Sequence, residues 1–173
     1  MKRLLPLIPL TLLGACETVP TRDDGPRAAV TSTTFRAEDF AWSTGEGRNI
    51  VRGQVEYRSA AKQAYTCAGG SVGLTPETGY SRQRISALYG STTHAAVPLA
   101  TVRSRQVAAA GGDYSRYVRT TTCDAKGAFS FTGLPDGAWY VIARARPTSG
   151  SGEEMAIVRR VEVRGGASRE AVL

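Results

Sequence analysis

Apolar and polar residues alternate with a period of two in several stretches of this chain, the signature of half-buried strands. Val51, Gly53, Val55 and Tyr57 alternate with Arg52, Gln54, Glu56 and Arg58. Phe129 and Phe131 alternate with Ala128 and Ser130, so both rings share one face. Trp139, Val141, Ala143 and Ala145 alternate with Tyr140, Ile142, Arg144 and Arg146. The arginines mark this second set as the wetter face and assign Trp139 and Val141 to the core. Gly53 lies on an apolar face, which predicts close approach of another backbone or side chain. Met155, Ile157, Val161 and Val163 share one parity, but Arg159 shares it too. A bulge near Arg159 and Arg160, or two facing preferences along one edge, accounts for that. Val72 and Leu74 mark a short strand, residues 117–122 are β-rich, and Ala171, Val172 and Leu173 close the sheet. About seven strands joined by short turns predict a sandwich.

Two tight turns bind the last of these strands into a meander. Asp124 and Gly127 bracket the first, with Asp at the position where its carboxylate accepts from backbone amides two residues on. Residues 133–137, G-L-P-D-G, form the second, where Pro135 pre-sets φ. The run D-x-x-G-x-F-x-F-x-G-L-P-x-G-x-W is carried by Asp124, Gly127, Phe129, Phe131, Leu134, Pro135, Gly137 and Trp139. It resembles the signature of carboxypeptidase regulatory-like domains, which usually have Tyr or another aromatic where Trp139 stands. Weaker likeness at residues 53–55 and 161–163 extends the resemblance over most of 49–173. It implies an all-β, antiparallel prealbumin-like (transthyretin-like) β-sandwich. It also implies an accessory module attached to many different partners, without catalytic residues of its own.

The N-terminus reads differently. Lys2 and Arg3 precede a short apolar run over residues 4–13, too short to span a bilayer as a mature helix. Leu13, Gly14, Ala15 and Cys16 then resemble the lipobox of bacterial lipoproteins; the other reading is an ordinary signal peptide cut beside a cysteine. The resemblance implies that residues 1–15 are removed and that Cys16 is lipidated with palmitate-type chains, which anchor stably when more than one is present. Glu17 is not the Asp that commonly retains lipoproteins at the inner membrane in enteric bacteria. This favours the outer membrane, facing the periplasm. Residues 17–34 have no apolar period and read as a tether. Phe40 and Trp42 share a face if extended, which fits a short edge strand or a loosely packed segment within 16–48.

Composition refines this picture. An oxidising compartment and an even remainder pair Cys67 with Cys123 in a disulfide, the alternative being two free thiols. The formal net charge is +7, and removing Lys2 and Arg3 leaves 20 basic against 15 acidic residues, a net +5. Residues 76–115 form an insertion that does not read as sheet. Ser81 is placed to cap one short helix carrying Ile85, Leu88 and Tyr89, with Gly90 as its stop. Between Thr78 and Thr122 stand Arg82, Arg84, Arg103, Arg105, Arg116 and Arg119 against the single acid Asp113, interleaved with Tyr80, Tyr89, Tyr114 and Tyr117. Such a mixture suits an anionic polymer or lipid headgroup, with Arg82, Arg84, Arg103 and Arg105 as candidate contacts, or is a solvated face.

Catalytic chemistry has little to stand on. The single histidine, His94, lies in the polar insertion. Neither a H-E-x-x-H nor a Cys-x-x-Cys motif occurs, no nucleophile elbow is present, and Glu153 and Glu154 would point to opposite faces of a strand. The expectation is a non-enzymatic, lipid-anchored binding or scaffolding module without cofactor or metal. An envelope protein, a glycan or an anionic lipid is its partner, and nucleic acid is not. The alternatives are a peptide- or glycan-binding protein using the 76–115 insertion as a pocket, and a hydrolase with an unrecognised site. Labelling with a palmitate analogue is expected to mark the wild-type protein and to vanish in Cys16→Ala; persistent label in the mutant would contradict lipidation.

Overall fold

Of the alternation at 51–57, only the part up to Gln54 becomes a strand, although both Val51 and Val55 are buried against the facing sheet. The computed structural model describes residues 34–107 and 112–173, so Cys16 and the leader lie outside the described residues. The strands are β1 (Asn49–Gln54), β2 (Tyr65–Thr66), β3 (Ser71–Pro76), β4 (His94–Pro98), β5 (Arg119–Thr122), β6 (Ala128–Leu134), β7 (Gly137–Pro147), β8 (Met155–Val163) and β9 (Ser168–Val172). They build two sheets. The smaller has the order β6-β1-β9; the larger runs β4-β8-β7-β3-β5, with β2 paired to the end of β7. The all-β sandwich is as expected, with nine described strands instead of about seven. One pair departs from the antiparallel rule: β9 runs parallel to β1, Arg52 opposite Glu170.

The core between the sheets holds the residues that alternation assigned to it. Val51, Leu134, Trp139, Val141, Ala143 and Ala171 are fully buried there, and Phe129 and Phe131 nearly so. A Cβ on Gly53 would stand 1.9 Å from the Ala171 carbonyl oxygen and 2.7 Å from the Phe129 ring, the close approach that its position predicts.

Four local expectations change. First, the supposed wet face of β7 is covered. Tyr140 is fully buried, because two helices, α1 (Gly79–Tyr89) and α2 (Leu99–Ser104), pack on that side of the larger sheet. Ile85 and Tyr89 meet Tyr140, Ala156 and Val158 there, with Leu99, Val102 and Ile142 at the margin. Helices, two sheets and their two interfaces therefore stack as three layers. Second, no bulge occurs at Arg159 and Arg160: β7 and β8 pair without a break from Gly137↔Val163 to Ala145↔Met155. Arg159 keeps its inward parity but is exposed, beside His94, Tyr57 and Leu173 at a rim of the sandwich. The register shift lies instead between Asn49 and Val51, where β1 meets β6. Third, the 76–115 insertion contains the edge strand β4 and two helices where one was expected. Thr78, not Ser81, is the N-cap of α1; Ser81 is the reciprocal partner in its capping box, and Gly90 closes the helix at φ 73°.

The fourth change concerns residues Ala37–Thr44, which form a 3₁₀ helix and not an edge strand. Aromatic packing outweighs the alternation of Phe40 and Trp42. Phe40, fully buried, stacks at 4.8 Å on Tyr117 and edge-on at 5.7 Å to Tyr114, while Trp42 meets Trp139 edge-on at 4.9 Å. The turn at one end of the sandwich is sewn by the buried amide of Asn49. Its Nδ2 donates to the Leu134 carbonyl at 2.9 Å and to Asp136 Oδ1 at 2.8 Å. Its Oδ1 accepts from Gly166 N and Ala167 N, both at 2.8 Å. Every hydrogen-bonding site of that amide is thereby engaged, and the β6–β7 and β8–β9 turns are tied to the start of β1.

Cys67 and Cys123 form a disulfide, with Cα atoms 5.8 Å apart and 56 residues between them in sequence. It joins the segment after β2 to the segment after β5. Replacing both cysteines by Ala is expected to lower the unfolding free energy by about 2–4 kcal/mol, read as a reduced urea midpoint; an unchanged midpoint would show that the bridge adds nothing.

Candidate functional site

The inward positions of β6, β1 and β9 are apolar because the other sheet covers them, and the outward ones are mostly polar because no layer among the described residues covers that face. Register places Ser130, Arg52 and Glu170 side by side across the three strands, with Ala128, Gln54 and Val172 in the next row. Beyond β6 the surface continues to Thr121, Thr122 and Asp124. Together these residues line a groove of about 740 Å³, with Ser168 and Arg169 at the β9 end. The lining includes two arginines, Arg52 and Arg169, and two carboxylates, Asp124 and Glu170, so its formal charges balance. None of the four belongs to an ion pair within 4 Å among the described residues. Asp124 Oδ1 is engaged by its turn, accepting from Lys126 N and Ala128 N at 2.8 Å. The Gln54 amide donates to Glu56.

The groove offers many donors and acceptors but no activated nucleophile. Its hydroxyls belong to Ser130, Ser168, Thr121 and Thr122, and neither histidine nor cysteine lines it. Among the described residues no group of three His, Cys, Asp or Glu is arranged to hold a metal ion.

The sequence-named arginines sit on the other outer surface, on the helical layer, and do not share one environment. Arg82 is joined to Glu77: its Nε donates to Glu77 Oε1 at 2.9 Å and its Nη2 stands 2.8 Å from the same oxygen. The Arg84 guanidinium lies 5.9 Å from the Tyr114 ring centre. Arg103 is exposed in the last turn of α2. Arg105 donates from Nη1 to the Leu88 carbonyl in the last turn of α1, where a cation is favoured by the helix dipole. The interleaved tyrosines turn inward: Tyr80 and Tyr89 are buried, and Tyr80, Tyr114 and Tyr117 pack with Phe35 and Phe40. They hold the layer together and present no stacking platform.

Sequence reasoning missed the polar centre of this layer. Glu77, its side chain 6% exposed, also accepts from Tyr140 Oη at 3.0 Å and from Arg160 Nε at 2.7 Å. Burial alone would raise its carboxyl, yet the Arg160 hydrogen bond and charge, the Tyr140 hydroxyl and Arg82 together hold it below the usual range. Burial, reinforced by Glu77, pushes the Tyr140 phenol up to about 12. Asp124 was read only as a turn residue, and the strand residues Arg52, Gln54, Ser130 and Glu170 were not singled out as a site. Their only sequence signal is outward parity, which every solvated strand face shares.

No family model matches the chain, and no curated protein matches it. Among solved structures it is similar to a candidate carbohydrate-binding protein of Pseudomonas aeruginosa, at 21% identity and a TM-score of 0.59. The match covers 80% of this chain and 96% of that one, so the likeness extends over the sandwich and shows a common fold.

The low Glu77 carboxyl fixes the sign of a pH effect. Its contribution to stability is complete above the unfolded-chain glutamate value of about 4.3, and is lost as pH falls through the lower folded value. Glu77→Gln is therefore expected to cost about 1–3 kcal/mol at neutral pH and to flatten the fall in stability below about pH 4. Urea unfolding at several pH values reads both; equal stability of mutant and wild type at neutral pH would remove Glu77 from its structural role.

Proposed function

We propose that this protein is a non-enzymatic glycan-binding module of the bacterial envelope. In this reading it is anchored to the outer membrane through lipidated Cys16 and faces the periplasm. The observation that carries the binding role is the groove on the three-stranded sheet. A sugar presents vicinal hydroxyls, each both donor and acceptor. Arg52 and Gln54 supply planar donors, Glu170 and Asp124 supply acceptors, and the serines and threonines supply either. Near-neutral lining suits a neutral or zwitterionic saccharide better than a polyanion. The shared fold with a candidate carbohydrate-binding protein supports the same reading.

A hydrolase finds less support. An acid catalyst needs a carboxyl raised toward neutrality, whereas the buried carboxylate Glu77 is held low and is paired with two arginines. The helical insertion likewise gives its described apolar side chains to the sheet beneath it. The carboxypeptidase regulatory-like signature fits an accessory module of this kind, and the Cys67–Cys123 disulfide fits an oxidising compartment.

Titration calorimetry against neutral, amino and uronate oligosaccharides tests the proposal. The wild type is expected to bind a neutral or amino saccharide, and Arg52→Ala and Glu170→Ala each to weaken it about tenfold or more, as loss of a charged hydrogen bond implies. Arg103→Ser, on the opposite surface, leaves the affinity unchanged. Failure of every saccharide to bind, or equal binding by the groove variants, would overturn the assignment.

A further inference from the structure

The two outer surfaces of the molecule differ in charge. On the helical side, Arg82, Arg103 and Arg105 are exposed, and so is Arg116 on the 3₁₀ turn Tyr114–Tyr117, whose tyrosines pack against Phe40 and Tyr80. Glu77 neutralises only Arg82 among them. Arg103, Arg105 and Arg116 have no carboxylate within 4 Å among the described residues. The one acid within residues 78–122, Asp113, accepts at Oδ1 from the Ser115 hydroxyl of its own turn. The groove surface, by contrast, balances its charges.

A second observation concerns where the chain enters. The Phe35 ring packs against Tyr80 of α1 at 5.7 Å and against Tyr117 at 6.2 Å, and it meets Phe40 at 5.5 Å. Phe35, the second described residue, therefore lies against α1 and Tyr117 and is not among the groove-lining residues. Seventeen residues separate Cys16 from Thr34. Fully extended they reach about 60 Å at most, which keeps the domain near an anchoring bilayer but leaves its orientation to other forces. Basic residues are attracted to an anionic bilayer surface within a Debye length, so the surface with uncompensated arginines is the one drawn in.

From these two observations we propose that the exposed arginines of the helical layer, Arg103, Arg105 and Arg116, form a bilayer-facing surface that binds anionic phospholipid headgroups and turns the groove away from the membrane. The geometry rests on the anchored reading of Cys16, whereas the charge argument does not.

The test uses the full chain purified from membranes and reconstituted into vesicles of phosphatidylcholine, alone or mixed with phosphatidylglycerol. Arginines are modified with phenylglyoxal and quantified by mass spectrometry. Labelling of Arg103, Arg105 and Arg116 is expected to fall several-fold in the phosphatidylglycerol vesicles and to recover in high salt. Arg52 and Arg169, in the groove, keep their reactivity in both. Equal labelling of the three arginines in the two vesicle types would overturn the proposal. So would equal protection by inorganic phosphate over phosphatidylcholine vesicles, which would mark an ion site and not a membrane face. Flotation with the pure phosphatidylcholine vesicles reads the anchor separately. Protein that floats only when phosphatidylglycerol is present has lost the anchored reading but retains the arginine surface.

Discussion

One nearly buried carboxylate joins the third layer of this molecule to the other two. Glu77 follows β3 directly, and its backbone amide donates to Ala138 of β7. Its carboxylate gathers Arg82 from α1, Tyr140 from β7 and Arg160 from β8. Breaking a buried ion pair by removing one partner costs more than the pair contributes, because the remaining charge has lost its counter-ion. The same centre explains why Tyr140 is fully buried although it alternates with core residues. Its ring lies under Ile85 and Tyr89, and its hydroxyl, which would otherwise be an unpaired buried donor, ends on Glu77. Covering that face consumes the insertion's apolar residues and leaves its arginines on the outside.

The sandwich was legible because its signals are local. Parity at Val51 and Val55, at Phe129 and Phe131, and at Trp139 and Val141 depends only on one uncovered face per strand, and the Asp124 turn needs only its own amides. The disulfide followed from the even number of cysteines left after Cys16 and from the oxidising compartment that the lipobox resemblance implies. The errors occur where distant contacts decide. Phe40 and Trp42 alternate like a strand, but rings from residues 80, 114 and 139 set their positions, and a 3₁₀ turn satisfies both at once. Arg159 looks like a fault in a strand because parity assumes a facing sheet along the full length of β8. Ile157 and Val161, on either side of it, are buried in the core, whereas Arg159 itself lies exposed at a rim with Tyr57, His94 and Leu173. Asn49 carried no sequence signal at all. Its four bonds reach the segments around 134–136 and 166–167, which only the closed fold brings to it.

The groove was hidden for a related reason. Arg52, Ser130 and Glu170 come from three strands, and β9 reaches β1 only by crossing from the opposite sheet. Nothing in the sequence announces that row. The arginines of the insertion were conspicuous because they cluster along the chain, yet in space Arg82 is neutralised and Arg105 is turned onto a carbonyl. Clustering along the chain and convergence at a site are separate properties, and here they favour opposite faces of the sandwich.

That separation bears on what each outer surface of a small domain can offer a partner. A surface charge attracts through solvent and needs no fixed geometry, so it can rest on helix termini and on a 3₁₀ turn. Discrimination among sugars depends on side chains held at fixed spacing, which a sheet with strands about 4.8 Å apart supplies better than a helical layer packed from one side. That sheet is also closely tied. Asn49 ties β1 to both neighbouring turns, and Gly53 lets β9 approach so closely that no side chain fits between. The polar row stands on strands tied by these contacts, and the exposed arginines stand on the side where Phe35 packs against Tyr80 and Tyr117.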